Sequence, residues 1–148
     1  MKYIAYVDGS YMQDDVAGAY YGSAAIVQPE GGTGWSLIKQ AGNDEMVAMR
    51  NVAGELMAVI LLCEYCTKLE CDHLVIHYDY EGIEKWVTGA WKAKNKWTQA
   101  YKQYMQRNIM PKMRVEFIHV KGHTGVAGNE AVDQYAKEAI LDQIQHRG

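Results

Sequence analysis

The sequence lacks an apolar run long enough to cross a bilayer. Its longest unbroken one, from Leu56 to Cys63, covers eight residues where a membrane helix needs about twenty. Positive charge is also short: 15 Lys and Arg against 18 Asp and Glu leave a net charge of −3. That argues against a protein holding nucleic acid by charge alone, but not against one whose acidic site carries divalent cations. Cysteine is scarce and odd in number, three residues at 63, 66 and 71. These read as reduced thiols of a cytoplasmic protein rather than a disulfide framework. A zinc site would need His73 as its fourth ligand, and that reading is discounted. The N-terminal segment meets Asp8 too early for a signal peptide. Repeats, low-complexity tracts and linkers are absent too. With 49% hydrophobic and 22% charged residues, the expectation is a single globular domain over residues 1–148, without a membrane partner.

What is present is a series of short apolar segments separated by turns. Residues 2–8 read as a strand covered on both faces and ending in Asp8. Residues 11–19, with Asp14, Asp15 and Gly18, read as a turn. Tyr20 to Gln28 is a second strand and Gly34 to Ala41 a weaker third, giving an antiparallel meander. A helix is expected from about Asn51 to Lys68, with Glu55, Val59, Leu62 and Cys66 on one face. Residues 73–78 form another buried strand, ending at Asp79. A helix start over Glu81 to Thr88 follows, then a basic aromatic stretch from Trp91 to Trp97, a helix to about Arg107, and a strand from Arg114 to Val120. The helix between the third and fourth strands is long enough for a parallel crossover. The expected fold is therefore α/β: a five-stranded mixed sheet with helices on both faces.

The last stretch, Lys121 to Asp133, holds three glycines in seven residues (122, 125 and 128) around His123. It reads as a permissive loop leading into a helix capped by Asn129 and running to about Gln145. On that helix Asp133, Ala136, Ile140 and Ile144 share a face.

Four acids thus share one property. Asp8 and Asp79 end buried strands, while Glu55 and Asp133 lie on helix faces turned toward the sheet. If the two strands are parallel neighbours, their carboxyl ends bring both aspartates together. Such a cluster cannot be fully ionised without cations between its members, and its all-oxygen chemistry suits Mg²⁺ or Mn²⁺. Two ions about 3.5–4 Å apart are the arrangement that hydrolyses phosphodiesters in line.

From end to end the sequence resembles type 1 ribonuclease H. The resemblance rests on Asp8-Gly9-Ser10 after the first strand, on Asn51 four residues before Glu55, and on Tyr78-Asp79. It rests also on Lys121-Gly122-His123 with Asn129-Glu130-Ala131-Val132-Asp133, where the histidine precedes the aspartate by ten residues. The stretch from Tyr78 to Trp86 looks most like the bacterial subgroup often fused to a hybrid-binding domain, which is not part of this sequence. The resemblance implies a ribonuclease H fold and cleavage of the RNA strand of an RNA–DNA hybrid, leaving 5′-phosphate and 3′-hydroxyl ends. It implies that Asp8, Glu55, Asp79 and Asp133 are catalytic and hold two Mg²⁺, with Mn²⁺ able to substitute, and that His123 assists proton transfer or product release. Substrate contacts are implied at Gly9, Ser10, Arg50, Asn51, Trp86, Trp91, Lys92, Lys94 and Lys96. The protein is expected to act as a monomer.

The sequence departs from the family pattern at several points. Arg50 stands where a threonine of a DNA-phosphate pocket is common, and Glu81 where a glutamine is. The first loop lacks the usual Asn-Pro-Gly. The basic protrusion is short. Two other functions are weighed: a catalytically silent hybrid- or RNA-binding module, which turnover with excess substrate would separate, and a related nuclease with another nucleic-acid substrate, which a substrate panel would separate.

Overall fold

The computed structural model describes residues 1–121 and 126–146. Strands β1 (Lys2–Asp14) and β2 (Gly18–Pro29) form a long antiparallel hairpin, and β3 (Ser36–Gly42) pairs antiparallel with β2. Helix α1 (Asn51–Thr67) crosses to β4 (His73–Tyr78), which lies parallel to β1. Helices α2 (Gly82–Thr88) and α3 (Lys96–Tyr104) cross to β5 (Arg114–His119), parallel to β4, and α4 (Ala127–Gln145) completes the described chain. The sheet order is β3-β2-β1-β4-β5. This is the five-stranded mixed sheet that the element order predicts.

Burial explains why β2 lacks the alternation of a half-exposed strand: Tyr20 to Val27 are all buried. Ala25 and Val27 join the core beneath α1, with Ala5, Val7, Leu56, Val59 and Leu62. Ala24 and Ile26 face the other way, against Val132 and Ala136 of α4. A strand covered on both sides reads as a continuous apolar run. On the α4 side the approach is close at Gly22, where an added Cβ would stand 2.1 Å from the Ala136 carbonyl oxygen.

Two boundaries differ from expectation. Strand β1 continues six residues past Asp8, because β2 pairs with it all the way from Tyr3↔Pro29 to Asp14↔Gly18. The turn is only residues 15–17, fastened by Asp14 Oδ2, which accepts from the N–H groups of Val16 (3.0 Å) and Ala17 (2.6 Å). Helix α4 begins at Ala127 behind Val126, so Asn129 is buried inside the first turn and is not the cap. The cap on α3 is one that the sequence analysis does not anticipate. The Asn95 side chain accepts from Thr98 N at 2.8 Å and the Thr98 hydroxyl accepts from Asn95 N at 3.4 Å, a reciprocal capping box. A π turn, Met105–Ile109, prolongs that helix and buries Met105 and Ile109.

Candidate metal centre and active site

The parallel register of β1 and β4 builds the first half of the site. Tyr6 pairs with His77 as the last partners of that ladder. Asp8 and Asp79 each lie two residues further on, so they stand level where the two strands part. Asp8 therefore lies just past the end of the parallel pairing, although β1 itself runs on. The peptide after Asp8 helps hold its carboxylate, with Gly9 N–H donating to Oδ1 at 2.9 Å. Beside Asp79, His119 Nε2 lies 2.9 Å from the Asp79 carbonyl oxygen, tying β5 to the end of β4.

Helix α1 brings the third acid by lying directly on β1. A Cβ on Gly9 would stand 2.1 Å from Glu55 N, and one on Gly54 would stand 2.2 Å from the Gly22 carbonyl oxygen and 3.0 Å from Gly9 Cα. Buried Ser23 donates its hydroxyl to the Gly54 carbonyl at 2.8 Å. With no side chains between helix and strand, the Glu55 carboxylate reaches the Asp8 carboxylate. Asp8, Glu55 and Asp79 each offer an oxygen within 4.8 Å of the others. Asp8 and Glu55 are both 3% exposed.

Burial pushes the Asp8 carboxyl up to about 7, aided by the charges of Asp79 and Asp133 and opposed by its hydrogen bonds to Glu55 and Gly9. Burial, with the neighbouring Asp8, also holds Glu55 well above the ordinary carboxylate range. Glu55 Oε2 has no hydrogen-bond partner among the described residues. A buried carboxylate oxygen without a donor costs on the order of 1–3 kcal/mol, and a cation would satisfy it. The donor set is carboxylate only, which fits a hard divalent ion. These three acids could hold such an ion.

Asp133 approaches from α4. It adds to the field at Asp8, but it lies outside the three-acid group and pairs with Lys137 Nζ at 3.1 Å. Its side chain is 26% exposed. It sits on the rim, and Lys137, one helical turn on, already meets part of the charge. That partner is readable from its spacing. His123 lies outside the described residues.

The expected substrate residues divide by location. Gly9 is taken up in helix packing, and Ser10 is half-buried in β1. Arg50 and Asn51 are exposed at the start of α1, and the Arg50 guanidinium lies 5.9 Å from the Tyr11 ring centroid. Arg50 has φ 56° and ψ −130°, and is the only non-glycine with positive φ among the described residues. Trp86 and Trp91 meet edge to face at 5.5 Å and both meet Tyr80, at 5.8 and 6.2 Å. Tyr80 immediately follows Asp79, so this ring cluster adjoins the acids. Sequence reasoning misses Tyr80 and Tyr11, because a tyrosine next to a motif carries no periodicity of its own. Lys92 and Lys94 are exposed, whereas Lys96 is bound to Glu45 at 2.9 Å and stacked over Trp97. Trp97 packs against the core.

The family model described as RNase H matches residues 1–141. A ribonuclease H of Mycolicibacterium gilvum is 34% identical over 100 residues, which span 61% of this chain and 65% of that protein, just under two thirds of its length. The fold matches ribonuclease H1 of the halophilic archaeon Halobacterium salinarum with a TM-score of 0.72 at 23% identity, covering 96% of this chain and 99% of that one. It also matches LC11-RNase H1, solved in complex with RNA/DNA hybrid, with a TM-score of 0.66 at 18% identity over 93% and 99% of the two chains. A family match across nearly the whole sequence, on a fold that gathers its acids at one strand end, leaves one conclusion: the chain belongs to the ribonuclease H family.

Proposed function

We infer that the protein is an endonuclease that hydrolyses the RNA strand of RNA–DNA hybrids, leaving 5′-phosphate and 3′-hydroxyl ends. The observation that carries this reading is the meeting of Asp8, Glu55 and Asp79, with a buried oxygen of Glu55 left unpartnered. Asp133 completes the set from α4, and two Mg²⁺, or Mn²⁺ in their place, are the ions these carboxylates would hold. Bound there, divalent cations supply Lewis acidity and offset the charge that builds on the scissile phosphate.

The chain's own residues do the rest. Asp8 and Glu55 are kept from water by α1 and β1, so their charges act at low dielectric. The Gly9–Gly54 contact fixes the Glu55 carboxylate, and the His119 ring fixes the backbone at Asp79. Arg50 and Asn51, at the head of α1, offer a guanidinium and an amide to the nucleic-acid backbone. Tyr80, Trp86 and Trp91 offer ring faces next to Asp79, where sugars or bases can stack. His123 assists proton transfer or product release, as the family resemblance implies. The same reading takes the protein as a monomer of the cytoplasm, folded as one domain over residues 1–148.

Cleavage of defined hybrid, RNA duplex and DNA duplex with Mg²⁺ or Mn²⁺ tests the assignment. Hybrid alone should be cut, on its RNA strand, and Asp8→Asn should abolish the cutting. Equal cleavage of DNA duplex, or full activity in Asp8→Asn, would refute the reading.

A further inference from the structure

At the far end of α2 from Asp79, between the 89–95 loop and α3, lies an open cavity of about 450 Å³. Its lining contains Lys92, Lys102 and Arg107 together with Gln99, Gln103 and Gln106, and no acidic side chain. Of the other described cations, Lys2, Lys39, Lys85, Lys96, Arg114 and Lys137 each lie within 4.0 Å of a carboxylate, while Arg50, Lys68, Lys94 and Lys112 do not. Lys92, Lys102 and Arg107 have no such partner among the described residues. Three like charges sharing one concavity repel each other and raise the local potential for anions.

The basin is also held in shape. Gln106 Nε2 donates to the Val87 carbonyl at 2.7 Å, and Gln99 Nε2 donates to the Ala93 carbonyl at 3.2 Å. The first ties the π turn to the end of α2, and the second ties the loop to α3, whose first turn is closed by the Asn95–Thr98 box. The Lys102 ammonium lies 4.0 Å from where a Cβ on Gly89 would be, over the end of α2. Little loop ordering is therefore left for a ligand to impose.

Its place in the molecule says what it would hold. Helix α2 has seven residues, about 10 Å along its axis at 1.5 Å per residue. At 3.4 Å of rise per base pair, a duplex gripped at Asp79 covers that distance in about three steps. The ring cluster lies between: Trp91 belongs to it, and the next residue, Lys92, belongs to the basin. We propose that Lys92, Lys102 and Arg107 form a phosphate-binding basin that grips the arm of the nucleic-acid duplex extending past the C-terminal end of α2. This rests on the ribonuclease reading only for the identity of the duplex. The partner is a run of backbone phosphates, and the basin lengthens the binding track beyond the shortened basic segment.

The test measures binding without turnover. In an Asp8→Asn background, fluorescence anisotropy follows Lys102→Gln with Arg107→Gln on a hybrid of about 24 base pairs. Its Kd should rise about five- to tenfold and its log Kd against log salt slope should flatten by about two. Lys102→Arg with Arg107→Lys should restore the Kd. An unchanged Kd and slope would overturn the basin. So would an equal loss from Lys68→Gln with Lys112→Gln, two exposed cations outside it, because charge in general and not the basin would then hold the duplex. Cleavage by the unmodified protein is scored separately, so failure to cut hybrid counts against the ribonuclease reading and not against the basin.

Discussion

Gly9 of β1 and Gly54 of α1 are in backbone contact, with a Cβ on Gly54 falling 3.0 Å from Gly9 Cα and one on Gly9 falling 2.1 Å from Glu55 N. This contact sets the position of Glu55. Gly54→Ala would have to push the helix off the strand, because the obstacles are backbone atoms. The variant should lose about 1–3 kcal/mol of stability, which for a chain of this size lowers Tm by roughly 3–10 °C. Turnover should fall more than tenfold at a temperature where the variant is still folded. Thermal melts and cleavage of defined hybrid, measured side by side, check both parts.

Metal-free stability should depend on pH in the direction set by Asp8 and Glu55. Both carboxyls are raised in the folded state, Asp8 to about 7. Between the ordinary carboxylate range and pH 7 the folded state therefore binds more protons than the unfolded one. Their contribution is fully present near pH 4 and is lost as pH rises toward 7. In chelator, Asp8→Asn should melt near the unmodified protein at pH 4.5 and roughly 5–10 °C above it at pH 7.5. Adding Mg²⁺ should narrow that gap, because the ion favours the ionised carboxylates that only the unmodified protein supplies. A gap independent of pH would refute the account.

Asp133→Asn should raise Tm in chelator much less than Asp8→Asn does. Asp133 is 26% exposed and already paired with Lys137 at 3.1 Å, so relief of repulsion there is partly screened. Scanning calorimetry of the two variants in the same buffer decides the order.

Arg50→Gly should stabilise the protein and weaken substrate binding together. A non-glycine held at φ 56° and ψ −130° costs on the order of 1–3 kcal/mol, and glycine removes that cost. The guanidinium over Tyr11 would be lost with it. Tm should rise by a few degrees and KM for hybrid should increase, with kcat little changed. A lower Tm would mean that the stack on Tyr11 outweighs the strain.

Much of the fold and most of the acidic site are legible in the amino-acid sequence. Residues 73–78 announce a strand as a short apolar run, with Leu74, Val75, Ile76 and Tyr78 buried, and Glu55, Val59, Leu62 and Cys66 announce a helix by their spacing, all four being buried. The four acids stand out because each breaks an apolar pattern. Other features are hidden for identifiable reasons. The extension of β1 to Asp14 depends on its pairing with β2, a long-range partner that local composition does not reveal. Asn129 looks like a cap because asparagine favours caps, yet the helix starts two residues earlier and buries it. The basin joins Lys92 to Lys102 and Arg107 across a loop, a juxtaposition no spacing rule predicts. Lys96 and Trp97 sit within the same basic run but turn to Glu45 and to the core.

The register between β1 and β4 has a kinetic side. Asp8 and Asp79 become neighbours only when Tyr6 pairs with His77, across a wide separation in the chain, and Glu55 arrives by a separate helix. An unfolded chain therefore has no preassembled ion site, and the acids cannot compete for cations until the parallel ladder has closed. Ions that bind the native form alone draw the population toward it, by about 2.7 kcal/mol at a hundred times their dissociation constant. The supply of divalent ions would then act as a folding ligand as well as a reagent.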